Sequence, residues 1–375
     1  MQDRETAVNA IVKTTRAWID SINLSERARI ARRLDRQGVP EFDPGPQRAI
    51  TAGLSWLCYA LDKSATRDGG VARHFSLLDG WGSSYPETTG YIAETFLSYG
   101  AETGNADLMN RGLRMLDWLV SIQFPEGCFQ GGMVDELPRL PAVFDTGQIL
   151  TGLAAGTRSE ERFRAPMIRA ADWLVKIQST DGGWQHDTPF AAAGAKVYET
   201  HVAIGLFRAA VFEPTRGYME AAKAQVDWAL GHQYDNGWLA NCCLTDQSIP
   251  LTHTIGYALR GILEAYLSTR DAKYRDAACR TADGLLRALS PEGKLPGRLT
   301  EHWKPAAEWV CLTGTAQIAE CLWLLFEFTD NEDYKRGAQR ANSYVRRTMD
   351  IAVPSRSGEV VSTGCRSWLW ISFIR

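Results

Sequence analysis

Six segments of this chain carry a threonine-led apolar run, and the residues that open them are Glu87, Asp145, Glu199, His253, Leu312 and Ser362. Three carboxylates and one imidazole at equivalent places form a set suited to proton transfer. A carboxyl kept protonated by burial or by a second carboxylate donates a proton near neutrality, whereas an ionised one activates water or steadies a developing cation. Asp and Glu at a helix start also have a plainer use, because they accept backbone N–H groups and favour the positive end of the helix dipole. That use does not explain why two of the six places hold Leu and Ser, or why the fourth holds His253. At least one carboxylate of the set is therefore expected to be catalytic, with Tyr198 beside Glu199 as a further proton-transfer candidate.

The stretches that precede these segments add Arg73, His74, Tyr85, Gln130, Trp184, His186, Asn241 and Trp238, and later Arg298, His302, Trp303 and Trp309; Gln148 and His201 follow inside the apolar runs. Aromatic faces bordered by hydrogen-bonding side chains suit a pyranose, which offers an apolar C–H face ringed by hydroxyls. From this group His74, Tyr85, Gln148, Trp184, His201, Trp238, Asn241, Arg298, His302 and Trp303 form the expected substrate-binding set. Trp184 in DGGW and Trp238 in DNGW equally suit wedging between repeats. Arg298, His302 and Trp303 lie in PEGKLPGRLTEHWKPAAEW, a loop that no repeat requires.

These residues are positioned by a repeat. DWLVSIQFPEGCFQGG, DWLVKIQSTDGGW and DWALGHQYDNGW begin at 117, 172 and 227, a period of 55, with weaker copies at Ser55-Trp56, Asp283-Gly284 and Ser343-Tyr344. Each copy is followed by one threonine-led segment. Both families have apolar residues at helical spacing, but the first is flanked by charge and the second is nearly free of it, so half-exposed helices alternate with buried ones. Six such pairs predict an all-α (α/α)6 barrel, a toroid of six inner and six outer helices. Loops of roughly twenty residues lead into the inner helices and short turns lead out, so the inner-helix N-termini and the long loops share one face, where the site is expected.

One toroid domain is predicted over 45–375, preceded by an N-terminal helical extension over 1–44. The first 35 or so residues lack the apolar core and cleavage site of a secretory signal, and no apolar run reaches membrane-spanning length. A formal charge of −3 gives no reason to expect nucleic acid or an anionic membrane as partner. Eight cysteines include no CxxC pair, which fits reduced thiols in a cytoplasmic protein. Cys242, Cys243 and His253 lack a fourth zinc ligand, so neither metal nor cofactor is expected. The expected partner is a carbohydrate; oligomeric state is not legible.

The runs YPETTGYIAETFLSYGAETGNADL, VFDTGQILTGL, THTIGYALRGILEAYLSTRDAKY and CLTGTAQIAECLWLL resemble successive inner helices of the unsaturated glucuronyl and rhamnogalacturonyl hydrolases. More broadly they resemble the carbohydrate-active toroids that include sugar 2-epimerases and polysaccharide lyases. The hydrolase resemblance implies two working acids at the positions of Glu87 and Asp145, Asp145-Thr146 keeping the family's Asp-Thr pattern and Glu87 standing where that family has aspartate. Asp145 would then donate a proton, with Glu87 or Glu199 positioning water or substrate. The lyase or epimerase alternative would use Tyr198, His201 or His253 to abstract a proton from a uronic acid, with Asn241 and Arg298 neutralising its carboxylate. The pieces Gln178–Trp184 and Gln233–Trp238 also resemble the Gln-Trp repeats of triterpene cyclases and the toroid of protein prenyltransferases, although no DxDD cluster is present. A non-catalytic glycan-binding toroid is the remaining alternative.

Overall fold

A computed structural model describes residues 25–185, 194–351 and 364–365. After a first helix α1 (Glu26–Arg36), helices alternate between an outer and an inner ring. The outer helices are α2 (Pro46–Asp62), α4 (Ala106–Ile122), α6 (Arg164–Ile177), α8 (Tyr218–Leu230), α10 (Ala272–Ala288) and α12 (Glu332–Arg347). The inner ones are α3 (Pro86–Thr103), α5 (Val143–Ser159), α7 (Thr200–Phe212), α9 (Thr252–Thr269) and α11 (Leu312–Thr329). The architecture is the expected all-α toroid. The sixth inner segment, from Ser362, falls largely outside the described residues; Gly364–Cys365 pairs as a short antiparallel strand with Met349–Asp350 instead of opening a helix. A second small ribbon, Phe75–Ser76 with Gly80–Trp81, decorates the loop before α3.

Three of the turns from the inner to the outer ring take two residues and share one mechanism. Gly104, Arg270 and Asp330 end their helices in the left-handed conformation, and the next residue, Asn105, Asp271 or Asn331, caps the following helix by accepting a backbone N–H. Left-handed closure followed at once by an Asx cap satisfies both helix ends in the fewest residues.

The repeated Asp-Trp and Gln motifs stitch neighbouring outer helices. Tyr218, Tyr274 and Tyr334 donate to Asp172, Asp227 and Asp283 at 2.6, 2.9 and 2.8 Å. Gln123, Gln178 and Gln233 each donate to a carbonyl of the next outer helix, on Pro166, Ala221 and Ala277. Gly127, Gly182 and Gly237 follow at positive φ, and a Cβ at any of them would run into a carbonyl of that same helix. The ring is tied shut where Arg346 and Ser343 of α12 donate to Asp43, just before α2, each at 2.6 Å.

The inner helices meet at glycine. A Cβ on Gly90 would press on the backbone of Ile149, and one on Gly147 on Val202. That closeness is why Gly recurs beside the threonines. The threonines themselves anchor the long loops to the ring: Thr89 accepts the Val71 N–H at 2.9 Å, Thr146 accepts the Phe129 N–H at 3.0 Å, and Thr254 donates to the Cys242 carbonyl at 2.6 Å. The seven described cysteines are all free thiols. No helix among the described residues is long and apolar enough to cross a membrane.

Candidate active site

Five inner-helix residues set the register of the barrel axis. Tyr91, Gln148, His201 and Tyr257 line one axial cavity, and Gln317, hydrogen-bonded to Tyr257, stands at the corresponding place on α11. His201 Nδ1 lies 2.8 Å from Gln148 Oε1, and its ring meets Tyr257 edge-on at 4.6 Å. Pairing with an amide oxygen makes Nδ1 the donor and leaves Nε2 without the proton.

Counted back from this ring, Glu87 and His253 stand four residues earlier, Asp145 three and Glu199 only two. The opening residues therefore do not share one height, contrary to their apparent equivalence in sequence. At one helical turn above the ring, Glu87 and Asp145 converge. Glu87 is 8% exposed and Asp145 4%. Burial, the largest influence, pushes the Glu87 carboxyl up to about 7, although the Tyr85 hydroxyl and the Arg73 guanidinium both pull it down. Burial and then the charge of Glu87 hold Asp145 well above the carboxylate range, despite backbone N–H donors from itself and Gly132. Two buried carboxyls in one field cannot both ionise cheaply, so one retains a proton near neutrality. Asp145 Oδ1 has no hydrogen-bond partner.

The walls around this pair are aromatic. Phe144 meets Tyr198 at 5.5 Å and Tyr257 at 5.1 Å, both edge-on, and the Arg73 guanidinium lies 5.4 Å from the centre of the Tyr85 ring. Glu87 and Asp145 both raise the Tyr85 and Tyr257 phenols, which are already pushed up by burial. Tyr198 is raised by burial and by Glu199. These hydroxyls stay protonated; Tyr85 donates to Glu87, and Tyr257 accepts from the Gln317 amide. His253 meets Tyr257 edge-on at 5.5 Å, and burial with Arg298 pushes it down to about 4. Burial pushes His201 well below its usual value too, so both imidazoles are neutral at pH 7.

Glu199 has a different position. It is fully buried in a 3-10 turn, Val197–Glu199, ahead of α7, and its Oε2 accepts the Lys196 N–H at 3.2 Å. It thus occupies the place where Thr89 and Thr146 tie down their loops. Burial pushes it up to about 7, and Oε1 is unpartnered.

The other expected binding residues separate into groups. Tyr85 joins the acid pair through Glu87, whereas Gln148 and His201 pair with each other in the ring below it. Trp184 is fully buried and donates to the Leu174 carbonyl at 3.0 Å, while Trp238 and Trp303, each 3% exposed, meet edge-on at 5.3 Å. These three rings pack between repeats, the second of the two roles their sequence context allowed for Trp184 and Trp238. Trp303 takes the same role because Gly284 of α10 leaves room for its ring. His302 projects into solvent, 77% exposed, away from the acids. His74 is an exposed residue whose ring covers Gly82. Asn241, at φ 53, presents its carbonyl to the Val197 N–H. Arg298 donates to the Ile249 carbonyl at 2.7 Å and the Thr245 hydroxyl at 3.3 Å, steadying the loop before α9. His186 lies outside the described residues.

Sequence reasoning missed Tyr91, Tyr257 and Gln317, and with them a charged layer below. Glu94, Arg260 and Glu320 each stand three residues beyond a member of the ring. Ionisable residues inside almost uncharged helices, three of them at that offset, were the available signal. Among the described residues no group of three or more His, Cys, Asp or Glu is arranged to hold a metal ion; the Cys242 thiol is used on the Thr254 carbonyl at 3.4 Å.

Known structures share this architecture. An unsaturated glucuronyl hydrolase specific for heparin superposes with a TM-score of 0.66 at 16% identity, covering 84% of this chain and 87% of that one. The unsaturated glucuronyl hydrolase of Bacillus sp. GL1, responsible for glycosaminoglycan degradation, gives 0.66 at 14% identity, covering 87% and 88%. The cellobiose 2-epimerase of Bacillus thermoamylovorans B4167 gives 0.63 at 12%, covering 83% and 89%. At such identities the likeness is one of fold. No curated protein matches by sequence. The family model of the squalene-hopene cyclase C-terminal domain matches residues 73–263, half of the chain. The Gln-Gly loops at Gln123, Gln178 and Gln233 and the Tyr218–Asp172 stitch fall within that span, and the chain belongs to the squalene-hopene cyclase C-terminal domain family.

Proposed function

We propose that this protein is a carbohydrate-active enzyme that hydrolyses uronic-acid-containing oligosaccharides with Asp145 as proton donor and Glu87 as the carboxylate that activates water. The observation that carries this reading is the buried Glu87–Asp145 pair, in which burial raises both acids, the charge of Glu87 raises Asp145 further, and Asp145 has an oxygen without a partner. Arg73 pulls both acids down, but the Tyr85 hydroxyl donates to Glu87 alone and favours its ionised form, which divides the roles between the two acids. Asp145 gives its proton to the sugar as the bond to the leaving group weakens. Glu87 takes a proton from the attacking water, and exchange with solvent resets the pair. Arg73, exposed at the mouth above Tyr85, supplies a cation for the carboxylate of a uronic acid. A lyase or epimerase reading is weaker, because the Tyr198 phenol is held protonated and the two histidines are pushed toward low basicity. The free thiols agree with action in a reducing compartment.

A second reading follows from the family match. An Asp145 held protonated, beside Phe144, Tyr198 and Tyr257, could start an isoprenoid cyclisation by protonating an alkene. Against it stands the number of charged and amide groups on the axis, which favours a polar ligand. Incubation with unsaturated uronyl oligosaccharides, intact uronic-acid polymers and squalene-like polyenes separates the readings. Loss of the conjugated-alkene absorbance from the unsaturated fragments supports hydrolysis. A gain from intact polymer means elimination, and a cyclised hydrocarbon with no change on any sugar rules the proposal out.

A further inference from the structure

Below the axial ring the barrel is not filled. A cavity with about 90 Å³ of room for the centres of water molecules runs from Gln148, His201 and Tyr257 toward Tyr99 and Glu102 near the C-terminal end of α3, at the opposite end from the acid pair. It is of a size to hold several waters, or in their place one pyranose. Its wall carries the Arg208 and Arg260 guanidiniums and the carboxylates of Glu94, Glu102 and Glu320, and Glu264, outside the wall, pairs with the arginines as well. Arg260 donates to Glu264 at 2.7 Å and faces Glu320 at 3.5 Å; Arg208 pairs with Glu94 and faces Glu264 at 3.8 Å. Thr95, Ser98 and Thr151 add hydroxyls, and Tyr91, Tyr99 and Tyr257 add ring faces. Gln148 is fully buried, borders the cavity, and its Nε2 has no hydrogen-bond partner. A buried amide N–H₂ without an acceptor costs stability unless something in the cavity accepts from it. A network of buried ions is likewise a poor way to close a barrel compared with apolar side chains of the same volume.

We propose that this cavity is a second binding site, for a monosaccharide-sized polyol that is neutral or carries an ammonium group. Arginine-carboxylate pairs present donors and acceptors side by side, the arrangement that vicinal hydroxyls satisfy, and tyrosine rings cover the apolar sugar face. Charge decides against an anion. Glu94, Glu102 and Glu320 on the wall outnumber Arg208 and Arg260 even before Glu264 beside them is counted, and the C-terminal ends of inner helices add negative potential. The mouth and the cavity thus prefer opposite ligands, a uronate at one end and a neutral or amino sugar at the other. This site does not depend on the reaction assigned to the mouth.

The test is saturation-transfer NMR on the purified protein with D-glucose, D-mannose, D-glucosamine and D-glucuronate. Ser98→Phe and Thr95→Leu fill the cavity from α3 without touching an ion pair; the Thr95 hydroxyl donates only to the Tyr91 carbonyl of its own helix. Saturable binding of a neutral or amino sugar is expected, weakened roughly tenfold or more in each filling variant that folds by circular dichroism, and unchanged in Glu87→Gln. Absence of saturable binding by all three non-anionic sugars overturns the proposal. So does binding that Glu87→Gln weakens as much as the filling variants do, or glucuronate binding that the filling variants abolish.

Discussion

At the mouth of the barrel Asp145 Oδ1 and Glu199 Oε1 are buried without partners, whereas at the far end Glu94, Glu264 and Glu320 all face arginines. Both ends bury carboxylates, and they resolve the cost by different routes. The far end sets its acids against arginines, and Arg208 and Arg260 are raised by those same carboxylates, although burial opposes it. The mouth keeps its acids protonated by denying them cations close enough to compete with burial. A paired acid gives structure, and an unpaired protonated acid gives reactivity, because its proton can be lost to a substrate without breaking a salt bridge.

Breaking one pair at the far end should have the largest effect on stability. Arg260→Met leaves Glu264 and Glu320 short of a counter-charge, and the expected loss is about 3–5 kcal/mol of unfolding free energy by denaturant titration. Replacing the cluster wholly by apolar residues should recover most of that loss.

Glu199→Gln probes the other route. Burial pushes the Glu199 carboxyl up to about 7, above its ordinary value of 4.5. The native state therefore binds more protons, and the associated stability, complete below about pH 4.5, is lost as pH rises through 7. Glutamine does not titrate, so the stability of the variant relative to wild type should rise across that window by up to about 3 kcal/mol. Melting curves at pH 5 and pH 8 read the difference. A constant offset would show that Glu199 is ionised throughout.

Tyr85→Phe should have a smaller effect, visible in the pH profile. The Tyr85 hydroxyl favours the ionised form of Glu87, so its loss moves the acidic limb of the activity profile to higher pH while circular dichroism stays the same. An unmoved limb would separate Glu87 from the step that limits activity there. His302→Ala should change neither activity nor melting temperature measurably, since the ring projects into solvent with only Glu301 nearby, at 3.7 Å.

The outer ring was legible in the sequence because its stitches repeat: Asp172 with Tyr218, and Gln178 with the Ala221 carbonyl, recur at nearly constant spacing. The threonine tie was legible as a position, but its register was not. In DTG the carboxylate directly precedes the tie at Thr146, whereas in ETTG it precedes Thr88 and the tie is Thr89, so Glu87 sits one residue farther from the ring than Asp145. Glu199 looked equivalent to both and instead closes a capping box on the Lys196 N–H, a distinction that depends on the 3-10 turn before α7. Trp303 and His302 are adjacent in sequence and end in opposite environments, because Trp303, at φ 60, turns its ring onto Gly284. The far-end cavity was legible only as charges inside apolar helices, and one-dimensional spacing does not show that Glu94 and Arg208 meet across the axis.

The most direct test of the unpaired acid at the mouth is Asp145→Asn, assayed for turnover of unsaturated uronyl oligosaccharides and for thermal unfolding in the same preparation. Loss of activity by roughly a thousandfold or more, with the melting temperature unchanged or raised, is the expected result, because the amide cannot give up a proton and carries no charge to bury. Activity retained, or lost only in proportion to a large fall in melting temperature, would make Asp145 a structural residue and contradict the central claim.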